Sequence, residues 1–114
     1  MKNYWKVNGV LSLPWGAYAE QITTVVIEEG VSAVGQMAFY GLPNLQTVIL
    51  PASLEEVRGY AFKNCDALTG INLENVEYIR EGAFYGCSAL EDITFREGVV
   101  IEDWAFTRSG VKYP

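Results

Sequence analysis

The apolar residues of this chain recur in the same order every 22 or 23 residues, which marks it as a repeat protein. Each unit opens with an apolar residue and has two more at the fourth and sixth positions. These two positions are separated by one residue on the opposite face, which is the alternation expected of a strand with one buried face. Each unit then closes with the same dipeptide, which occurs as Ala38-Phe39, Ala61-Phe62, Ala83-Phe84 and Ala105-Phe106.

Alignment on these dipeptides gives four units, residues 22–44, 45–67, 68–89 and 90–110, and we call each unit a rung. A unit of this length lies within the leucine-rich-repeat range of about 20–29 residues, and it must stack to bury its apolar residues. We predict a β-rich leucine-rich-repeat solenoid with a parallel sheet on one side and short turns or helical turns on the other. Residues 1–21 are predicted to form an N-terminal β-hairpin cap with antiparallel strands, and residues 111–114 a C-terminal tail.

The interior of the stack is predicted from residues at equivalent positions. We expect one buried column of rings from Phe39, Phe62, Phe84 and Phe106. Cys65 and Cys87 are 22 residues apart and belong to adjacent rungs, so their Cα atoms are expected about 5 Å apart. Their side chains point in the same direction, and we therefore predict two reduced, buried thiols rather than a disulfide.

Residues 68–87 carry the pattern L-x-x-I-x-L…V-x-x-I-x-x-x-A-F-x-x-C. This pattern, repeated with variations over residues 22–110, resembles the BspA-like leucine-rich repeats of bacterial and protozoan proteins. The stretch before it resembles the hairpin that precedes such arrays. The resemblance implies a leucine-rich-repeat solenoid and, because family members are typically long, exported and implicated in adhesion, a surface role. This chain departs from the pattern in having Leu42 where the next two rungs have cysteine.

Charge and hydropathy exclude several kinds of partner. The net charge is −6, with 14 acidic and 8 basic residues, so we expect no direct binding of nucleic acid, which requires a basic surface. No apolar stretch approaches the length of about 18 residues that spans a membrane. Residues 2–19 have the outline of an export signal, but Asn8, Gly9, Ser12 and Pro14 interrupt its apolar part. We therefore expect a cytoplasmic protein, with the extracellular surface as the alternative.

The residues needed for catalysis are scarce. The sequence has no histidine, which removes the commonest general base and the usual partner of a nucleophile. Two cysteines without histidine do not make a zinc site, and no glycine-rich phosphate loop is present. We predict that the protein is not an enzyme and uses no cofactor or metal.

Binding residues are instead expected on the outer face of the sheet. There the first two rungs present the β-branched residues Val26 and Ile49, which either favour the strand conformation or form an apolar patch with a polar rim. We predict a partner-binding surface of Val26, Glu28, Thr47, Ile49, Asn72, Glu74, Asp92 and Thr94. A second row, in which most side chains are large, flanks the Ala-Phe pairs. We interpret it as packing between rungs, with a second binding surface as the alternative, and it contains Met37, Tyr60, Gly82 and Trp104 together with Tyr40, Lys63, Tyr85 and Thr107.

These observations favour a protein-interaction module whose partner is a protein, in particular a basic one. Two alternatives remain open. One is a small acidic intracellular antagonist from a phage or mobile element that blocks a nucleic-acid-binding enzyme, and the other is a short surface-adhesion module. A homodimer through the C-terminal end is also expected, because Phe95, Val99 and Phe106 lie near an open strand edge there.

Overall fold

The computed structural model describes residues 10–11 and 16–112, whose regular structure consists almost entirely of short strands. Within these residues the single helix is a 3₁₀ helix, Gly16–Gln21. In chain order the strands are β1 (Val10–Leu11), β2 (Thr24–Val26), β3 (Ala33–Val34), β4 (Thr47–Ile49), β5 (Glu56–Val57), β6 (Gly70–Ile71), β7 (Tyr78–Ile79) and β8 (Val100–Ile101). The predicted strand-rich fold is thereby confirmed.

The strands form two parallel sheets, where the sequence predicted one. The three-stranded sheet has the order β2–β4–β6 and the five-stranded sheet the order β1–β3–β5–β7–β8. Equivalent residues of neighbouring rungs pair, as Thr47 does with Gly70 and Glu56 does with Tyr78. The second sheet corrects the prediction of turns alone on the far side. Its physical reason is that each rung carries a second inward-facing apolar pair, such as Val31 and Val34, and the extended backbone there satisfies its hydrogen bonds by pairing with the next rung.

The fourth rung adds no strand to the three-stranded sheet. We predicted one through Asp92 and Thr94, but residues 90–96 have no regular structure. Two features account for this difference. The neighbouring strand β6 contains Gly70, which weakens a strand because it offers no side chain for packing. Phe95 also stands where the other rungs have leucine or isoleucine, and its ring packs edge-on against Phe106, with centroids 5.4 Å apart and an interplanar angle of 74°.

The phenylalanines of the Ala-Phe pairs form one continuous column in the core, as predicted. Their rings stack nearly parallel, with successive centroids 5.2 Å apart, and no ring is more than 3% exposed. The backbone beside them also joins the rungs, because the amides of Phe39, Phe62 and Phe84 donate to the carbonyls of Ala61, Ala83 and Ala105 at 2.7–2.8 Å. The turn side of the stack is therefore hydrogen-bonded from rung to rung like the sheets.

Both cysteines are free and fully buried, which agrees with the prediction. The Cys65 thiol donates a hydrogen bond to the Phe39 carbonyl (3.1 Å), and the Cys87 thiol donates to the Phe62 carbonyl (3.0 Å). Burial raises the pKa of the Cys65 thiol to about 12, and burial together with the neighbouring Cys65 raises the pKa of Cys87. The thiols are therefore structural groups and unreactive at neutral pH.

The N-terminal segment differs from the predicted hairpin in its described part. Val10–Leu11 pairs in parallel with Ala33–Val34, so this strand extends the five-stranded sheet and is not an antiparallel partner there. A parallel strand fits because the edge of β3 presents the hydrogen-bonding pattern that every later rung uses. Residues 1–9 and 12–15, which would complete a hairpin, lie outside the described residues.

The C-terminal end is better covered than the sequence indicated. Val111 is 8% exposed and belongs to the same core cluster as Phe106, while Phe95 and Val99 are half-buried against that cluster. The Gly110 amide donates to the Leu90 carbonyl (2.9 Å), and this bond returns the chain across the last rung. Residues 110–111 thus cover part of the apolar end that we expected to be open.

Candidate functional site

Most of the predicted partner-binding residues lie together around a shallow groove on the outer face of the three-stranded sheet. The groove has a volume of about 490 Å³. Its lining includes six of the eight predicted residues, Thr47, Ile49, Asn72, Glu74, Asp92 and Thr94. Val26 and Glu28 belong to the adjacent rung, beyond the lining, and Val26 pairs with Ile49 in the sheet register. We call this groove, with its lining residues, the sheet-face groove.

The apolar part of this surface is centred on Ile49. Its side chain is 48% exposed, so it points to solvent as predicted, whereas the next residue, Leu50, is buried. Val26 and Thr47 beside it are only half-buried. An exposed isoleucine between partly covered neighbours gives a small apolar centre, which is a common arrangement in protein interfaces.

Asn72 has a structural role at the edge of the groove that the sequence did not reveal. Its side-chain Oδ1 accepts a hydrogen bond from the Leu50 amide (2.8 Å), and its Nδ2 donates to the Leu50 carbonyl (2.9 Å). The amide group thus replaces the backbone pairing that would otherwise continue β6. One further hydrogen on Nδ2 and a second lone pair on Oδ1 remain available for a partner. The only signal in the sequence was an amide side chain at a position where the equivalent residues are Val26, Ile49 and Thr94.

The charges around the sheet-face groove are acidic. Glu74 and Asp92 line it and are exposed, and no lysine or arginine is among its lining residues. Glu28 is also exposed, on the neighbouring rung. Arg96 follows the groove residue Thr94 by two positions, but its guanidinium is paired with the Glu77 carboxylate at 2.7 Å. The groove therefore presents negative charge around an apolar centre.

The row before the Ala-Phe pairs has an unusual backbone. Met37, Tyr60, Gly82 and Trp104 all adopt left-handed conformations, with φ between 57° and 62°. Only Gly82 adopts this conformation without steric cost. A Cβ on Gly82 would overlap the Tyr60 ring, so the ring occupies the space that a side chain at position 82 would need. Tyr60 therefore reaches over the next rung toward Trp104.

Lys63 lies at the centre of this aromatic row. Its ammonium is 5.6 Å from the Tyr40 ring centroid and 5.4 Å from the centroids of Tyr60 and Tyr85, which is the range of cation–π contacts. A hollow of about 390 Å³ is lined by Tyr60, Lys63, Tyr85, Trp104 and Thr107, and we call it the turn-side hollow. The tyrosines of this hollow make contacts between rungs, in agreement with our interpretation of the row as packing. Trp104, in contrast, is 57% exposed.

A ladder of ion pairs lies on the outer face of the five-stranded sheet, and sequence reasoning missed it. Arg80 donates to Glu56 (2.7 Å) and to Glu102 (2.8 Å), and Arg58 donates to Glu56 (3.2 Å). Burial alone would raise the pKa of Glu56, but the hydrogen bonds from Arg80 and Arg58 outweigh it and lower the pKa. The same carboxylates raise the pKa of Arg80, whose guanidinium also lies 4.5 Å from the Tyr78 ring centroid. The spacing of 22 residues between Arg58 and Arg80 indicated that they occupy equivalent positions in adjacent rungs. It did not predict the ion pairs, because the second sheet was not predicted.

The described residues offer little for chemistry. Over residues 10–11 and 16–112 no cluster of three or more cysteine or carboxylate side chains is placed to hold a metal ion. Across the same residues, no helix has the length and apolar character needed to cross a membrane.

Comparisons with known proteins agree on the fold. A protein from Bacteroides ovatus with leucine-rich repeats has a crystal structure that is 25% identical, with a TM-score of 0.77 over 96% of this chain and 32% of that one. A leucine-rich cell-surface protein from Faecalibacterium prausnitzii is 21% identical, with a TM-score of 0.59 over 97% of this chain and 42% of that one. The chain therefore spans less than half the length of either protein. No curated protein matches the sequence.

The family model that matches describes a BspA-type leucine-rich repeat region and covers residues 17–113. It counts six copies of its own unit there, whereas alignment on the Ala-Phe pairs gives four rungs, so the number of rungs stays a prediction. Such repeats are typical of protein-interaction or surface modules and are not typical of enzymes. From the match and the parallel, strand-rich fold, we conclude that the chain belongs to the BspA-type leucine-rich repeat family.

Proposed function

We propose that this chain is a non-enzymatic interaction module that binds a protein partner in the sheet-face groove. One observation carries the proposal: predicted binding residues from successive rungs line one groove around the exposed side chain of Ile49. A surface assembled from equivalent positions of successive rungs is the usual binding surface of a solenoid. Family membership supports the same class of function.

The partner that fits this groove has an apolar side chain near basic ones. Ile49 would anchor the apolar side chain. Thr47, Thr94 and the remaining hydrogen-bond donor and acceptor of Asn72 would provide polar contacts. Glu74 and Asp92, together with Glu28, would attract basic side chains and raise the association rate more than they strengthen the complex. Raising the salt concentration is therefore expected to slow association.

The experiment compares two variants as bait in a pull-down from the native host. Ile49→Arg places a charge at the centre of the groove and should abolish capture of the partner. Tyr60→Ala alters the turn-side hollow instead and should leave capture nearly unchanged. If Tyr60→Ala abolishes capture and Ile49→Arg does not, the partner binds the turn side and the proposed groove is wrong.

Melting temperatures make this comparison interpretable. The Ile49 side chain is about half exposed, so Ile49→Arg should leave the melting temperature nearly unchanged. A large fall would mean that lost capture reflects unfolding. In that case Thr94→Arg, which changes an exposed residue of the same groove, serves as the second test, and unimpaired capture by it would contradict the proposal.

A surface-adhesion module is a second candidate, and one comparison favours it. The Faecalibacterium prausnitzii relative of the same fold is a leucine-rich cell-surface protein. A surface-adhesion module would lie outside the cell, whereas we expected a cytoplasmic protein. Labelling of intact host cells with an antibody to the chain distinguishes these two locations. Surface labelling would favour adhesion, and labelling only after lysis would favour the cytoplasm. The antagonist of a nucleic-acid-binding enzyme finds no support in the comparisons and rests on the acidic charge alone.

Self-association through the C-terminal end is a further part of the proposal. Strand β8 lies at one edge of the five-stranded sheet and pairs with β7 alone among the described strands. Two such edges meeting would form a symmetric dimer. The cover provided by Val111 reduces the apolar area that a dimer would bury, so we expect weak association at most. Light scattering at tens of micromolar tests this, and a monomeric mass would exclude it.

A further inference from the structure

We infer that Trp104 forms a second binding site, on the turn side, for a lysine or arginine side chain of a protein partner. This site lies away from the sheet-face groove and does not depend on the function proposed above.

Trp104 is unfavourable for folding in two respects. Its backbone is left-handed, with φ at 62°, which is sterically unfavourable for a residue with a Cβ. Its side chain is 57% exposed, more than any other large apolar residue in the described part of the chain. Gly82 occupies the equivalent position one rung earlier and avoids both costs. Because glycine stands at the equivalent position, the repeat itself does not require a tryptophan there, and an exposed indole offers a large contact surface to a partner.

The surroundings of Trp104 indicate a cation. Asp103 precedes it, and Asp103, Glu81 and Glu102 line an adjoining hollow of about 330 Å³. Arg80 already pairs with Glu102, and the Glu81 carboxylate accepts a hydrogen bond from Tyr60. The Asp103 carboxylate has no ion-pair partner within residues 10–11 and 16–112. Asp103 directly precedes Trp104 in the chain, so it offers a carboxylate to a basic side chain that extends from the indole into this adjoining hollow.

The protein uses the same arrangement for its own cations. Lys63 lies over three tyrosine rings, and Arg80 lies over Tyr78 between Glu56 and Glu102. Among the described residues, Trp104 has no cation over its ring, although tryptophan is the best of the aromatic side chains for this contact. The charge of −6 on the whole chain adds a long-range attraction for a basic partner.

Lys63 allows the charge of the ligand to be tested, because it lines the same turn-side hollow as Trp104. If the ligand is a cation, Lys63 repels it and its removal should preserve or strengthen binding. If the ligand is an anion such as a carboxylate, Lys63 is the main attraction and its removal should weaken binding. A single substitution therefore distinguishes the two ligand charges.

The test uses a capped peptide of alternating arginine and glycine, and the same peptide with glutamate in place of arginine. The indole N–H signal of Trp104, assigned by its loss in Trp104→Phe, is followed by NMR while each peptide is added at low salt. We expect the arginine peptide to shift this signal and the glutamate peptide to leave it unchanged. Trp104→Ala should weaken binding of the arginine peptide about 3- to 30-fold, the range expected for a cation–π contact.

Matched variants separate this site from general attraction to an acidic protein. Met37→Ala changes an exposed residue at the equivalent position of the first rung and should alter the affinity less than twofold. Asp103→Asn should weaken binding more than Asp66→Asn, which removes the same charge at an exposed position of another turn. Lys63→Met should bind at least as tightly as the unmodified protein. Equal effects of Trp104→Ala and Met37→Ala, preference for the glutamate peptide, or weaker binding by Lys63→Met would each overturn the inference.

Discussion

Two columns of side chains run along the stack, only two residues apart in each rung. They differ in whether the same residue type recurs from rung to rung. Positions 39, 62, 84 and 106 hold phenylalanine every time, and their rings form a continuous buried stack. Positions 37, 60, 82 and 104 share one left-handed backbone conformation but hold methionine, tyrosine, glycine and tryptophan. The backbone repeats in both columns, whereas the side chain repeats only where neighbouring rungs enclose it.

This contrast separates the scaffold from the surfaces that we propose for binding. A buried ring contacts the rung on each side, so a change in its size leaves a cavity or a clash in both. An exposed side chain meets no such requirement, and the sheet face varies in the same way, from Val26 and Ile49 to Asn72 and Thr94. Variation along a ladder of equivalent positions therefore indicates where this chain is free to acquire a binding site.

The largest expected effect is loss of a ring from the buried column. Phe62→Ala should lower the free energy of unfolding by about 3–5 kcal/mol, because transfer energy is lost and a cavity remains between Phe39 and Phe84. Tyr60→Ala, two residues away in the variable column, should cost less than about 1 kcal/mol. Urea unfolding measures both values, and equal losses would contradict the distinction between the two columns.

The buried thiols predict a specific loss of stability at alkaline pH. Their pKa is higher in the folded state than the ordinary value of 9.0, so the thiols of the unfolded chain lose their protons first. The stabilisation is complete below pH 9 and is lost as the pH rises toward the folded value, which for Cys65 is about 12. Within this window each thiol should lower the free energy of unfolding by about 1.4 kcal/mol per pH unit. The double variant Cys65→Ala/Cys87→Ala should have a shallower slope above pH 9, and an unchanged slope would show that the thiols are not buried.

A smaller effect is expected from the left-handed backbone of the variable column. Gly82→Ala should destabilise the fold by at least about 1–2 kcal/mol, since its Cβ meets a left-handed φ and the Tyr60 ring. Met37→Gly, the reverse change at the equivalent position, should be neutral or stabilising by up to about 1 kcal/mol. Thermal unfolding of the two variants checks this, and destabilisation by Met37→Gly would mean that the methionine side chain contributes to the scaffold.

The smallest effect belongs to the ion pairs on the five-stranded sheet. Glu56→Gln should cost less than about 1 kcal/mol, because the guanidinium groups of Arg58 and Arg80 are partly solvated. The hydrogen bonds to Glu56 lower its pKa, so this contribution is present above the ordinary value of 4.5 and is lost as the pH falls below it. Urea unfolding at pH 7 and pH 3 should therefore show a larger difference between variant and unmodified protein at pH 7 than at pH 3.

The sequence predicted the buried column well, because packing imposes a strict period of 22 or 23 residues on the Ala-Phe pairs and on Cys65 and Cys87. It also placed Ile49 outward, since alternation along a strand fixes the face of each side chain. The second sheet was missed because two-residue strands such as Glu56–Val57 are too short to show an alternation.

The finer contacts were beyond the reach of the sequence pattern. The bonds from Asn72 to Leu50 and the position of Lys63 among three tyrosines depend on side-chain conformations rather than on the repeat. The same holds for the left-handed positions, because methionine, tyrosine and tryptophan give no local signal for a positive φ. The only sequence signal for a left-handed backbone in this column was Gly82, which aligns with the other three positions.

Hydrogen exchange on the complex with a captured partner tests most directly whether the sheet face is the binding surface. We expect the partner to slow exchange at Thr47–Ile49 and Gly70–Ile71, which flank the sheet-face groove, and to leave the turn-side residues 59–63 and 82–86 unchanged. The same exchange measured with Ile49→Arg should show no slowing at either place. Slowing confined to the turn-side residues would contradict the proposed binding surface.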